Sequence, residues 1–575
     1  MTQTSSPDTM LDDPRPSDDK QEAGPPRIFE RRFSRPGLTM AALFLAASMF
    51  PSLLPRPTWA QGVIIGITVA LGYAIGAILE ALWHYLEIPS PRGRVRTVLF
   101  AVVIALVAFA VARETWRFVG WQNDQRALFG MPAIGPGAWP TMAIVAVLVF
   151  VLLLVIGRAL RHLTAWIIRL LRKKLPGRLA AVLGIFSIIV TFALIYSNVL
   201  VTGFFAAANA MYAPRNDTNK DGVTGPPTSP LRSGGPGSEV SWDSLGREGR
   251  SFVSIGPTPE DLAAASPGQP VEQPIRVYAG LESAPTPQER ADLVLSELKR
   301  TQAFDREILV ITTTTGSGFV QPEGIDPLEY LWRGDTAVAA IQFSYLPSWL
   351  SLLADQAKAQ EAARVTFNTI YGYWQTLPAD DRPKVYLYGL SLGSFGAQSV
   401  LGSVQLLNEP IDGALLVGPP FVNPLHNRLT DERDPGTPDW RPVYQQGHTV
   451  RFTVQEPTLL DLPGQQDPWG PTRLGYLQYG SDPVVFFSPM LFVSEPAWLE
   501  GPRAPDVSAQ VSWFPLVTGW QTLFDLANAG GVPWGFGHKY SASNNLTSWA
   551  AVTSPPEWTA EQLEALGADL DAQMP

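Results

Sequence analysis

The residues best suited to chemistry lie in "KVYLYGLSLGSFG", Lys384 to Gly396. An apolar alternating run enters a Gly, then Ser391, then two more glycines. Gly is poorly tolerated inside a strand, so the cluster marks a sharp turn. Gly389 to Gly393 fits G-x-S-x-G, with a strand-like stretch before it and a small-residue helix after it, "SFGAQSVLGSVQLL". That setting is what a nucleophile elbow requires, with Gly389 and Gly393 leaving room around a strained Ser391. A chance Gly-rich turn is the competing reading.

A nucleophilic serine needs a base, and the base needs an orienting acid. After residue 213 there are three histidines, His426, His448 and His538. In an elbow-type hydrolase the acid and then the His follow the Ser in sequence. His538, in the late Gly-rich loop "WGFGHKY", fits the base. The acid should leave a late strand, and "LQYGSDPVVFF" offers Asp482. Asp461, Asp467 and Asp506 are rivals, each also readable as a solvated surface carboxylate. The oxyanion hole would use backbone N–H groups. One is that of Leu392, and the other is expected from Gly316 or Ser317 after "EILVITTTTGSG". A Ser/Thr-rich turn without a role competes for that loop.

These residues need a scaffold. Strand-like stretches at 275–281, 307–316, 337–345, 384–389, 413–418, 474–480 and 511–519 alternate with helical stretches such as 287–302, 351–376 and 396–408. Buried, mostly unalternating strands separated by helices predict a parallel sheet covered on both faces, the α/β-hydrolase arrangement. Residues 419–473 are long enough to be an inserted lid. The 575 residues exceed one compact domain.

The first third has a different character. Apolar runs at about 38–54, 62–84, 97–113, 140–159 and 180–204 predict a bundle of about five transmembrane helices. Five such runs, apolar on every side, argue against buried helices of a soluble protein. Arg27, Arg31, Arg32 and Arg35 precede the first run. Arg92, Arg94 and Arg96 lie between the second and third, and Arg161, Arg169, Arg172, Lys173, Lys174 and Arg178 between the fourth and fifth. The positive-inside rule then puts the N-terminus in the cytoplasm and everything after the fifth run outside. A retained anchor is favoured over a cleaved leader for the first run, which no clear small-x-small site follows. The expected organisation is a disordered cytoplasmic tail (1–36), a transmembrane domain (37–212), a linker (213–240) and a catalytic domain (241–575).

Composition narrows the partners. Residues 1–212 carry 20 Lys and Arg against 11 Asp and Glu, and the remainder carries 22 against 41, which makes the net −10 of the chain. An acidic outer part excludes nucleic acid as the expected partner. With no cysteine, thiolate catalysis, Cys–zinc sites and disulfides are excluded. "DTNKDG", Asp217 to Gly222, opens like a calcium loop but has Thr228 where a Glu is needed, so a solvated turn is preferred and no metal or cofactor is expected. Glu80 and His84 share a helix face at the rim of the second run, and an interfacial pair is preferred to a proton relay.

"WDSLGREGRSFV", "YLWRGDTAVAAIQFSYLPSWLS", "RPKVYLYGLSLGSFG", "DGALLVGPP", "YLQYGSDPVVFFSP" and "GVPWGFGHKY" together resemble the actinobacterial membrane-anchored α/β-hydrolase family. The likeness covers nearly the whole chain after about residue 30. It implies an α/β-hydrolase fold with Ser391 as nucleophile, Asp482 as acid and His538 as base. Phe536 stands where the family's loop has a second His. The resemblance implies no substrate. The expected activity is a serine hydrolase of the esterase or lipase kind, acting on a small-molecule or lipid ester at the bilayer. An envelope acyltransferase with the same triad, or a non-enzymatic membrane platform reusing the fold, are the alternatives.

Overall fold

The computed structural model describes residues 33–89, 93–194, 201–407, 409–456 and 468–574. Most of the expected N-terminal tail, residues 1–32, lies outside the described ones. Helices α1 (Arg35–Ser48), α2 (Thr58–Tyr85), α3 (Gly93–Leu128), α4 (Ala138–Leu171), α5 (Gly177–Leu194) and α6 (Thr202–Tyr212) make the N-terminal part. Among the described residues, α2, α3 and α4 are long and apolar enough to cross a membrane. The first expected span is the 14-residue α1, which stops before Pro51 and Pro55. The fifth falls on α5 and α6, with residues 195–200 between them outside the described ones.

Small residues let α2 seat its neighbours closely on two sides. A Cβ on Gly66 would lie 2.6 Å from the Val149 Cβ, and one on Gly62 2.7 Å from the Met142 carbonyl, so this pair receives α4. A Cβ on Gly72 would lie 2.8 Å from the Met40 carbonyl, and one on Gly76 2.4 Å from the Pro36 carbonyl, so the second pair receives α1. Each pair is spaced by four, the small-xxx-small arrangement that draws membrane helices together by close backbone contact.

The C-terminal part is a seven-stranded sheet, all parallel, in the order β1-β3-β2-β4-β5-β7-β6. The strands are β1 (Ile275–Ala279), β2 (Ile308–Thr313), β3 (Thr336–Ile341), β4 (Lys384–Leu390), β5 (Gly413–Val417), β6 (Val450–Thr453) and β7 (Arg473–Leu477). Burial of both faces explains their continuous apolar runs. Val294, Phe367, Ile370 and Phe395 pack on one face with Leu309 and Ile311. Ile325, Leu328, Leu546 and Trp549 pack on the other with Ile308 and Val310.

Two expectations change. Residues 511–519 hold no strand: Pro515 lacks a ladder donor, Leu516 has φ 66°, and a helix starts at Val517. Phe514 packs 4.7 Å from Phe50 of the N-terminal part, while Trp513 donates to the Leu491 carbonyl (2.8 Å). Conversely, β6 lies in the segment expected to be a lid and extends the sheet beyond β7. That segment also holds the helix Pro424–Asp431, while Asp461 and Asp467 lie outside the described residues. The expected linker, 213–240, runs along β1, where Ser233 N–H donates to the Arg276 carbonyl (3.1 Å) and Arg232 is buried.

The register aligns the carboxyl ends of the central strands. Thr313 lies beside Gly389, Leu390 beside Val417, and Val417 beside Leu477. The loops that follow β2, β4, β5 and β7 therefore emerge together, the usual location of a site in an open parallel sheet.

Candidate functional site

Ser391 is the residue after β4 and caps the helix Leu392–Gln398. Its backbone has φ 57° and ψ −123°, a region costly for any residue with a Cβ. The flanking glycines have steric reasons. A Cβ on Gly389 would meet the Gly393 carbonyl carbon at 2.3 Å, and one on Gly393 the Thr313 carbonyl oxygen at 2.2 Å. The Ser391 N–H donates to the Val417 carbonyl (2.9 Å), which pins the turn to β5. Strand, turn and helix thus lock Ser391 at the top of the sheet.

The loop after β7 carries Asp482, completely buried. Its Oδ1 accepts from the Val484 N–H (2.8 Å), and its Oδ2 accepts from His538 Nδ1 (2.7 Å) and the Tyr540 hydroxyl (2.6 Å). Holding Nδ1–H on the carboxylate leaves Nε2 as the basic nitrogen. Nε2 is buried and has no hydrogen-bond partner among the described residues. The imidazole packs on the end of β5, since a Cβ on Gly418 would lie 2.7 Å from its Cε1. Ser391 and His538 therefore meet the same two-residue stretch, Val417–Gly418.

The other histidines are placed elsewhere. His426 is buried against Phe452 and Tyr476, pairs with Gln478 (2.6 Å), and has its pKa pulled down by burial. His448 contacts the Pro468 carbonyl on the surface. Asp506, a rival acid, accepts from the Ser481 N–H (2.9 Å) and hydroxyl (2.7 Å). Ser481 in turn accepts from the Gly537 N–H (3.0 Å), so Asp506 braces the two loops that carry Asp482 and His538.

Leu392 opens its helix, so its N–H has no intrahelical acceptor. Gly316 packs on the Leu346 carbonyl and Ser351, and the Ser317 carbonyl accepts from Gln342 (2.9 Å). What meets the elbow is Thr313, the last residue of β2, and the Thr314 carbonyl that follows it. Among the described residues no group of three or more His, Asp or Glu is placed to hold a metal ion. In "DTNKDG", Lys220 pairs with Glu248 (2.5 Å) and Thr218 accepts from Arg247 (2.6 Å).

The parallel sheet with helices on both faces agrees with the comparison to known families. Residues 275–566 match the model of an alpha/beta-hydrolase family, and residues 49–257 match the model of that family's N-terminus. The chain belongs to this alpha/beta-hydrolase family. No curated protein and no solved structure matches it. Tyr540 and Gly418 are neighbours of the Asp482–His538 pair that sequence reasoning missed. A tyrosine hydroxyl carries no charge signal at neutral pH, and Gly418 matters only because of what the fold puts opposite it.

A cavity of about 300 Å³ borders the acid loop and is lined in part by Phe421, His426, Val485, Phe487, Met490 and Trp498. A second, of about 320 Å³, lies at the amino ends of β4 and β7 around Lys384, Trp469 and Arg473, the far side of the sheet from Ser391.

Proposed function

We propose that this chain is a membrane-anchored serine hydrolase that cleaves an ester-type bond through Ser391, His538 and Asp482. The observation that carries the reading is the buried Asp482–His538 hydrogen bond, whose imidazole packs on Gly418, the residue after the Val417 carbonyl to which the strained Ser391 is tied. Ser391 Oγ attacks the carbonyl carbon while Nε2 takes the hydroxyl proton, and Asp482 supports the imidazolium. The oxyanion draws on the Leu392 N–H, with Gly316 or Ser317 as the proposed second donor. Nε2–H then protonates the leaving alcohol or thiol, the acyl–Ser391 ester remains, and water attacks it with Nε2 again as base.

The bundle supports a bilayer location. The turns after α1 and α3 touch the sheet part, so α2–α3 and α4–α5 are joined at their far ends. Arg94, Arg96, Arg172, Lys173, Lys174 and Arg178 gather at those far ends. The positive-inside rule supports reading the far ends as cytoplasmic and the hydrolase part as extracytoplasmic. An envelope lipid or acylated glycan ester fits that position.

A fluorophosphonate probe tests the reading on the full chain in detergent. Wild type should label at serine, with Ser391 Oγ bonding phosphorus and fluoride leaving, and Ser391→Ala should not label. Folded wild type that does not label, or Ser391→Ala that labels equally, would overturn it.

A further inference from the structure

The imidazole loop is held from two sides, and one of them belongs to the membrane bundle. We propose that Phe129 and Leu54, in the turns after α3 and α1, are positioning residues for His538, so that the bundle forms a working part of the catalytic site as well as its anchor. The inference rests on the hydrolase reading of Ser391 and His538.

Three observations place the turns there. The Phe129 ring stacks on Phe536, two residues before His538, with centroids 4.5 Å apart and planes at 27°. A Cβ on Gly537, the residue before His538, would come within 3.2 Å of the Leu54 side chain. Phe129 and Leu54 are fully enclosed in one apolar cluster with Val485, Phe486, Phe487 and Val532, which joins the loop after Asp482 to the loop before His538. Gly537 has φ 56°, a conformation that favours Gly, and the loop is also tied to the hydrolase part by the His538 N–H on the Ala529 carbonyl (3.0 Å).

The turns are rigid enough to serve. Asp525 Oδ2 accepts from the Leu53 N–H (3.0 Å) and faces the buried Arg56 guanidinium (3.7 Å from Oδ1). Arg56 also bonds Ser52, Gln61 and the Phe50 carbonyl. Gln125 on α3 donates to the Ser52 carbonyl (2.6 Å), and Asn123 exchanges two bonds with Ile134. The two turns are therefore bonded to each other, and through Phe536 and Gly537 they bear on the backbone that leads into His538. On the other side the loop meets Ser481, bonded to Gly537. Misplacing a catalytic group by about 1 Å costs on the order of 100-fold in rate.

The test measures the fluorophosphonate labelling rate of the full chain in nanodiscs, with thermal unfolding recorded alongside. Phe129→Ala should label about 10- to 100-fold more slowly, and Phe129→Leu, which keeps apolar volume and folds more readily, should lie between it and wild type. Phe367→Leu, in the core on the sheet's other flank, serves as a stability-matched comparison and should label near the wild-type rate. In a His538→Ala background Phe129→Ala should have no further effect, because a residue acting through the imidazole has nothing left to position. An undiminished rate in both Phe129 variants, or an equal loss with and without His538, would overturn the inference while leaving the hydrolase reading standing. Wild type that does not label would overturn the hydrolase reading itself.

Discussion

Ser391 stores conformational strain, and replacing it with Gly should release that strain as stability. Its φ of 57° and ψ of −123° lie outside the ordinary left-handed basin, at the upper end of the range of about 1–3 kcal/mol for such conformations. Gly adopts this region freely but adds unfolded-state entropy, which offsets about 0.4–1 kcal/mol. Losing one buried methylene offsets about 0.8 kcal/mol more. Taking about 3 kcal/mol of strain, Ser391→Gly should gain about 1–2 kcal/mol, or roughly 2–4 °C for a domain of this size. Ser391→Ala keeps the Cβ and the strain, so it should unfold near the wild-type temperature. The assay is thermal unfolding of the three proteins in one detergent, followed by the fluorescence of the 18 tryptophans. Both variants should fail to label with a fluorophosphonate. A Gly variant no more stable than the Ala variant would refute the idea that the elbow holds stored strain.

Three further outcomes follow from the geometry. Gly393→Ala puts a Cβ 2.2 Å from the Thr313 carbonyl oxygen, so it should lower stability by about 3 kcal/mol or more and yield little folded protein, seen by size-exclusion chromatography. Asp482→Asn should keep the fold but cut the labelling rate about 10³- to 10⁴-fold, since the amide no longer holds the imidazole tautomer; a loss under tenfold would remove Asp482 from its role. Burial pushes the Asp525 carboxyl from its ordinary value near 3.8 up to about 6, against the opposing pull of Arg56. Because the folded pKa is raised, its contribution is fully present below about pH 4 and is lost as pH rises through about 6. A rise of that size is worth about 3 kcal/mol, so wild type should lose stability across this window relative to Asp525→Asn, and parallel curves would contradict it.

Much of the sheet-bearing half was legible because its constraints are local. G-x-S-x-G between a strand and a helix specifies a turn, and six of the seven expected strands lie where continuous apolar runs predict them. The exception, 511–519, shows the limit: its Phe514 packs against Phe50 of the N-terminal part, and a burial pattern does not say what does the burying. The edge strand β6 was missed for the opposite reason, since four residues are too short for periodicity to declare them.

The sequence by itself determined the apolar helices with their basic ends, the sharp turn at Ser391 and the chain order of Ser391, Asp482 and His538. These follow from composition, spacing and local backbone chemistry. Only the tertiary structure decided which imidazole meets the carboxylate, that Asp506 braces Ser481, and that Phe129 stacks on Phe536 across some 400 residues of chain. Such pairings depend on strand register and on the docking of two separately built units, and neither is written in the neighbourhood of any single residue.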